Sequence, residues 1–334
     1  MVTLSEIASQ ANVSKAAVSL VLNNKAGVSA EKREEIWRII KETGYQAKNK
    51  KSQGTTHTVR FIQYKEKGFM VNQNGDFISR IVDGIEYMAR KNNFALAMTN
   101  LDNTNIEAMV PEINEENDAG IIFLATEFDM AKAPLLDEFK APLVILDNEM
   151  KFMNRNVVVM DNEYAVYLAV KHLYDMGHRR IGHITSEYAV SNLRARTRAF
   201  RQMLERFGLP QYEEYEYVVS SDINDYCASL LPQLDPENLP TAIMADNDII
   251  AINSLLALEK LGKKVPDDIS VVGIDDLTIS AITRPELTTV RLEKKRMGKL
   301  AVYRLMNMLQ DKDYAPMKIL TGAELVQRKS VARI

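Results

Sequence analysis

Two groups of side chains in this chain have the types and spacing to do chemistry, and in both that chemistry is hydrogen bonding. The first group lies just behind short apolar runs. Asp147 ends PLVILD, Asp161 ends NVVVMD, Asp246-Asn247-Asp248 follow AIMA, and Asp275-Asp276 follow SVVGI. In an open α/β sheet the carboxyl ends of such runs face the binding crevice. Carboxylates and amides there suit the vicinal hydroxyls of a sugar, and the guanidinium of Arg196 would add several donors. Met160 and Phe77 are apolar side chains able to wall such a site. Each aspartate has a second reading as the N-cap of a following helix. Arg196, with Arg194 and Arg198, also suits a solvated helix face, and Phe77 suits a core.

The second group lies near the amino terminus, in TLSEIASQANVSKAAVSLVLN, Thr3 to Asn23. Thr3 and Glu6 have the spacing of a capping box, and Ile7 and Ala8 share one face of a short helix. Ala11-Asn12-Val13 makes a tight break. Ser14 then caps a second helix whose Val18, Val21 and Leu22 form a buried stripe. Opposite the stripe sit Lys15, Ala16, Ser19 and Leu20. Two short helices joined by a tight turn, the second with a small mixed outer face, form the pattern of a helix-turn-helix. A third helix follows, with Ser29 as N-cap, Ile36, Ile39 and Ile40 inward, and Gly44 as the stop. Residues 1–54 hold nine Lys and Arg against five Glu, a net of +4. The remainder holds 33 basic and 40 acidic residues, a net of −7. A basic head on an acidic body fits a phosphate-binding module.

Catalytic signals are poor. The chain contains no G-x-G-x-x-G, P-loop, G-x-S-x-G or H-E-x-x-H. His172, His178 and His183 are close in sequence, but a helix, a turn and a strand send them in different directions. Asp275 and Asp276 are adjacent, and neighbours on an extended segment point apart. Neither an enzyme, nor a metal, nor a cofactor is expected. The single cysteine, Cys227, excludes an internal disulfide. No apolar run approaches the roughly 20 residues that span a bilayer. The amino terminus lacks the features of a secretory signal, so a cytoplasmic protein is expected.

Between the two groups, Gln46 to Thr58 is polar, basic and without an apolar period, a linker by composition. From Val59 short β-like runs alternate with amphipathic helices. The runs are VRFIQY, FALAMTN, GIIFLA, PLVILD and NVVVMD, then RIGHI, EYVVS, AIMA, SVVGID and LTTV. Helices are predicted near 77–91, 106–116, 162–177, 194–207, 222–231, 248–261 and 294–310. Two sets of about five strands imply two doubly wound parallel sheets. Two late runs, KIL at 318–320 and ELVQR at 324–328, remain.

The run VTLSEIASQANVS…AVSLVLNN…VSAEKREEI…ETGY resembles the head of the LacI/GalR family of bacterial transcriptional regulators. The resemblance continues through DGIE (83–86), HLYDMGHRRIGHI (172–184), NDIIA (247–251), ISVVGIDD (269–276), RPELTTV (284–290) and LVQRKS (325–330). Each is weak alone; in this order together they are specific. The fold implied is α/β: a helix-turn-helix head over 1–45 and a hinge linker over 46–58. Two lobes like those of a periplasmic binding protein follow, 59–161 with 293–322 and 162–292 with 323–334. The late strands would cross back, one to each sheet, so that three connections tie the lobes.

The family motif puts Thr3, Ser14, Ala17, Ser19, Asn23 and Ser29 at phosphate-facing positions and Lys15, Ala16 and Leu20 at base-reading ones, with Leu4 counted among the contacts. Ala17 has no hydroxyl to donate. Leu20 stands where many relatives carry a guanine-gripping arginine, and would cover a thymine methyl or pack partly buried instead. In the linker, Lys48, Lys50 and Lys51 would reach phosphates. Gly54 replaces the expected wedge leucine, which argues against intercalation of a minor-groove wedge. Positions matching Asp147, Arg196, Asn247 and Asp275 commonly touch the effector in the family; Arg196 is placed by RTRAF. Met160 joins them as an apolar wall. The function implied is repression at a pseudo-palindromic operator by a homodimer, controlled by a small-molecule effector, a sugar first and a purine as another option. The dimer surface would include the 77–91 helix, and the lack of a heptad tail favours a dimer over a tetramer. The rival readings are a global regulator answering to a phosphoprotein partner and a cytosolic sugar-binding protein with a weak DNA head.

Overall fold

The computed structural model describes residues 4–22, 27–43, 57–188, 190–311 and 313–334, in two compact units, Met1–Thr56 and His57–Ile334. In the first, helices α1 (Leu4–Gln10), α2 (Lys15–Leu22) and α3 (Ala30–Thr43) pack around Ile7, Ala8, Ala11, Val18, Val21, Ile36, Ile39 and Ile40. Asn12 takes a left-handed φ of 51° at the turn between α1 and α2, a conformation asparagine tolerates better than most residues. The Ser14 hydroxyl accepts from the Ala17 amide at 3.2 Å, and Ser29 accepts from the Lys32 amide at 3.4 Å. Both serines therefore cap the helices they precede. Lys32 reaches back to the Ala11 carbonyl at 3.2 Å, tying α3 to the turn. Thr3, Asn23 and Gly44 lie outside the described residues, as do residues 46–56 of the expected linker.

The second unit begins with β1 (Thr58–Lys65), a short helix α4 (Phe69–Gln73) and α5 (Gly75–Lys91). Then come β2 (Ala95–Asp102), α6 (Ile106–Glu115), β3 (Gly120–Leu124), β4 (Leu143–Leu146) and β5 (Val157–Met160). The other lobe holds α7 (Asn162–Asp175), β6 (Ile181–Ser186), α8 (Ser191–Arg206), β7 (Glu216–Val219), α9 (Tyr226–Leu230), β8 (Ala242–Ala245), α10 (Asp248–Lys260), β9 (Ser270–Asp275) and β10 (Thr288–Leu292). The chain closes with α11 (Lys294–Gln310), β11 (Lys318–Thr321) and β12 (Ala323–Val326).

The strand orders are β11-β5-β4-β3-β1-β2 and β12-β10-β9-β8-β6-β7, six strands in each sheet. Pairing is parallel throughout the first sheet. In the second, only the β10–β12 pair is antiparallel. β12 enters that sheet from the other one through Gly322 alone, with no helix to carry it back to the common starting edge. The chain crosses between lobes after β5, after β10 and at Gly322. The two doubly wound lobes expected from the alternating runs are present, with the sheets enlarged by the late strands. The central strands β3, β5 and β8 are buried along their whole length, as expected for strands covered on both faces.

Three local departures bear on the site. The stretch 66–73, without an assignment from periodicity, contains α4 and its approach. α8 starts at Ser191, three residues before the expected helix, which puts Asn192 on it. The helix predicted over 222–231 is cut to α9, flanked by single tight turns: Asp222 accepts from the Asn224 amide in the first, and Pro232, which has no amide to donate, lies in the second. Among the described residues no helix is long and apolar enough to cross a membrane.

Candidate functional site

The ends of β3, β4 and β5 on one side and β8 and β9 on the other converge on one cleft between the lobes. Only about 20 Å³ of it is wide enough to admit water, because opposing groups already meet across it. Asp147, just past β4, is held in a left-handed turn with φ 65°. Thr126 donates to its Oδ2 at 2.5 Å, and the Asn192 amide, from the other lobe, donates to its Oδ1 and carbonyl, both at 3.0 Å. Arg196 lies four residues beyond Asn192, on the same face of α8, and is 3% exposed. It donates to Asn162 Oδ1 at 2.9 Å, to the Asp246 carbonyl, and to Asp275 Oδ1 at 3.4 Å. Asn247 caps α10 through its side-chain oxygen, at 2.8 Å from the Ile250 amide, and also lines the cleft. Met70, Phe77, Ile78, Met160, Val190 and Leu193 form the apolar lining.

The electrostatics follow from burial. Asp275 is pushed up to about 7 by desolvation, which the nearby Arg196 guanidinium only partly offsets. Asp147 rises to about 6 for the same reason, against the Thr126 and Asn192 hydrogen bonds and Arg196. Behind them, Asp248 is raised by burial although it accepts from the Leu277 amide at 2.9 Å, Ser280 at 2.6 Å and Thr289 at 2.5 Å. Lys294 is depressed by burial and donates to the carbonyls of Asp275 and Asp276. Burial alone would raise Asp276, yet Arg328 at 2.5 Å and Arg291 at 2.8 Å hold it below the usual carboxylate range. Hydrogen-bonding groups backed by an apolar wall make an arrangement able to hold a small polar molecule by replacing internal bonds with bonds to the ligand.

The residues the sequence put forward for the cleft, Asp147, Met160, Arg196, Asn247 and Asp275, all line it. The competing roles sort out individually. Asp161 caps α7, accepting from the Tyr164 amide at 2.9 Å. Asp248 is not a cap; Asn247 takes that place, and Asp248 sits one residue inside, where it ties the 277–280 turn to β10. Asp276 is paired with arginines. Arg196 is buried, so the solvated-face reading does not describe it. Phe77, 5% exposed, serves the core and the cleft wall together. Sequence reasoning missed Asn74, Thr126 and Asn192. Thr126 follows the apolar run of β3 as the aspartates follow theirs, and Asn192 precedes Arg196 at helical spacing, so both carried a readable signal. Asn74, whose buried Oδ1 has no hydrogen-bond partner, carried none.

His178 contacts Thr241 and the Ala332 carbonyl, each at 3.1 Å, while His183 contacts Asp246 at 2.7 Å and stacks on Phe200. Among the described residues no three His, Cys, Asp or Glu side chains are grouped to hold a metal. In the head, Ser14, Lys15 and Ser29 are exposed, and Ala17 and Leu20 are half-buried. Thr3, Asn23 and Lys50 lie outside the described residues, as do the side chains of Leu4, Ala16 and Ser19.

Comparison with known proteins agrees with both halves of this picture. Residues 3–48 match the family "Bacterial regulatory proteins, lacI family", and residues 170–331 match "Periplasmic binding protein-like domain". The HTH-type transcriptional repressor PurR of Aliivibrio salmonicida (strain LFI1238) is 27% identical over 100% of both chains. The repressor of the same name from Mannheimia succiniciproducens is also 27% identical over 100% of both. Among solved structures, a transcriptional regulator CelR–cellobiose complex superposes with a TM-score of 0.73 at 23% identity, covering 99% of this chain and 100% of that one. The Lac repressor dimer bound to operator and the anti-inducer ONPF gives 0.72 at 24% identity, with 99% of each chain covered. With the head, the paired lobes and full-length repressor relatives in agreement, the chain belongs to the LacI family of bacterial regulatory proteins.

Proposed function

We propose that the chain is a sequence-specific DNA-binding transcriptional repressor, controlled by a small molecule held in the cleft between its lobes, and that this molecule is a sugar. The observation that carries the reading is the convergence of Asp147, Asn192, Arg196, Asn247 and Asp275 from both lobes on one cleft. Such a set matches adjacent hydroxyls better than an apolar or strongly charged ligand. A structural neighbour holding cellobiose, and another of the family described with bound glucose, support the sugar class.

On this reading the working parts are the head over 1–45, the linker over 46–58, and lobes of 59–161 with 293–322 and 162–292 with 323–334. Ser14, Ser29 and the Lys50 region meet phosphates, with Thr3, Leu4, Ser19 and Asn23. Lys15, Ala16 and Leu20 face base edges. A cytoplasmic homodimer sets the two heads on a pseudo-palindromic operator, its surface including the outward side of α5, where Tyr87 is exposed. The effector changes operator affinity, and the operator changes effector affinity by the same factor. The repressor relatives favour a regulator over an enzyme.

The test is a gel shift against an operator selected from random duplexes, repeated with D-glucose, cellobiose, other mono- and disaccharides and purine bases, with calorimetry of any compound that acts. A shift altered by a saccharide supports the proposal. Binding indifferent to every small molecule but altered by a phosphorylated carrier protein would favour a global regulator. Failure to select any duplex over random DNA would leave a sugar-binding protein. Turnover of a ligand seen to bind in calorimetry would argue for an enzyme.

A further inference from the structure

The side chain of Glu127 lies three residues past β3, is 4% exposed, and accepts from five backbone amides of one segment. Glu66, Lys67 and Gly68 donate to its Oε2 at 3.0, 3.0 and 2.7 Å, and Met70 and Val71 donate to its Oε1, both at 2.8 Å. A run of amides can converge on one carboxylate only if the chain curls around it. Gly68 provides the curl with φ 78°, where a Cβ would also come 2.6 Å from Asn72 Nδ2. What the carboxylate holds is the approach to α4 and its first turn.

That segment crosses to the opposite lobe. Phe69 meets the Tyr188 ring edge-on at 5.6 Å, and Met70 is buried with Val190 and Leu193 while lining the cleft. Gln73 donates to the Ser221 carbonyl at 3.4 Å and accepts from the Tyr226 hydroxyl at 3.3 Å. The two attachments differ in strength. Five bonds of 2.7–3.0 Å to a carboxylate fix the segment to its own lobe, against two bonds near the outer limit of hydrogen bonding and the undirected contacts of Phe69 and Met70 on the other. Any parting of the lobes breaks the second set first, and the segment travels with Glu127. Thr126, the preceding residue, holds Asp147, so the grip on the segment and the grip on the cleft floor lie one peptide apart.

We propose that Glu66–Gln73 is a strap that closes the cleft mouth and gates passage of the effector, and that Glu127 is its positioning residue. This rests on the cleft being the effector site. On this proposal the ligand enters when the strap lifts from Tyr188 and Tyr226, carrying Met70 away from the cleft lining.

The gate can be tested without the effector, in full-length protein carrying Cys227→Ser and Met160→Cys, which leaves one thiol in the cleft. The labelling rate of that thiol by Ellman's reagent reads access, and hydrogen exchange of the 66–71 amides reads the strap. Glu127→Gln puts an amide donor among five donors, so both rates are expected to rise about tenfold or more. Gln73→Ala should speed labelling while the 66–71 amides stay protected. Unchanged exchange in Glu127→Gln would show that this carboxylate does not hold the strap. Unchanged labelling once the strap amides are exposed, or in Gln73→Ala, would show that the strap is no gate. Should Glu127→Gln fail to fold, Gln73→Ala and Tyr226→Phe still decide the gating claim through labelling, and Glu127→Asp decides the positioning claim through exchange. Neither readout involves DNA or a sugar, so failure of the repressor reading would show in the gel shift instead.

Discussion

At the scale of single residues, the head and the cleft use opposite environments. Leu20 is half-buried on α2 and offers no hydrogen bond, at a position where we propose that the head faces base edges. Leu20→Arg is therefore expected to shift operator selection toward guanine at one position per half-site, by about 1–3 kcal/mol of discrimination for a good bidentate contact. An unchanged selection profile would remove Leu20 from the reading surface. In the cleft, Asp275 has its proton held more tightly in the folded than in the unfolded chain, about 7 against an ordinary value of 3.8. Below the lower value both states are protonated and the group contributes no pH slope. As pH rises through the window the unfolded chain ionises first, so folding loses stability until about 7, at roughly 1.4 kcal/mol per pH unit at most. Asp275→Asn should abolish that slope. Urea midpoints at pH 5 and pH 8 check it: the mutant should gain on wild type at the higher pH, and an equal difference at both would contradict the assignment.

At the scale of elements, the decisive contact is α5 against α11, two helices of 17 residues each. An added Cβ at Gly84 would lie 2.1 Å from the Lys295 carbonyl oxygen, and one at Gly298 would lie 2.1 Å from that of Ile81. The obstacles are backbone atoms of the facing helix, so the helices must separate to admit a methyl. Gly298→Ala is expected to cost about 1–3 kcal/mol, read as a lower midpoint in denaturant. Because α11 starts at the second crossing between lobes, the same substitution should also alter the sugar response in the gel shift. A midpoint within error of wild type would mean that the helices tolerate the separation. DGIE could be matched as a motif, but the need for glycine within it comes from a helix more than 200 residues away.

At the scale of the whole molecule, the proposed repressor depends on two heads reading two half-sites at once. Half-sites sit about one helical turn apart, 10–10.5 base pairs, or a multiple of it, so inserting about five base pairs turns one to the opposite side of the duplex. Operator affinity is expected to fall by about tenfold or more on that insertion and to recover when ten are inserted, since binding both sites raises avidity. Affinity insensitive to spacing would mean that the heads act singly. Within one core, the lobes are joined by three crossings and bridged across the cleft by Asn192 to Asp147, Thr278 to Asp76, and the strap. A ligand inserted among these contacts shifts the lobes only by binding one arrangement better than the other.

The sequence by itself determined the repeating strand–helix rhythm, the three-helix head, and most polar residues at the strand ends, because these depend on local spacing: periods of 2 and 3.6, caps, and the rule that strand ends face a crevice. Only the tertiary structure decided which of those polar residues meet. Asp248 and Asp275 both follow apolar runs, yet one is tied up by Leu277, Ser280 and Thr289 and the other lines the cleft. The strap was invisible for the same reason. Its shape is imposed by Glu127, about 60 residues further along the chain, and a hydrogen bond made across that separation leaves no period in the sequence.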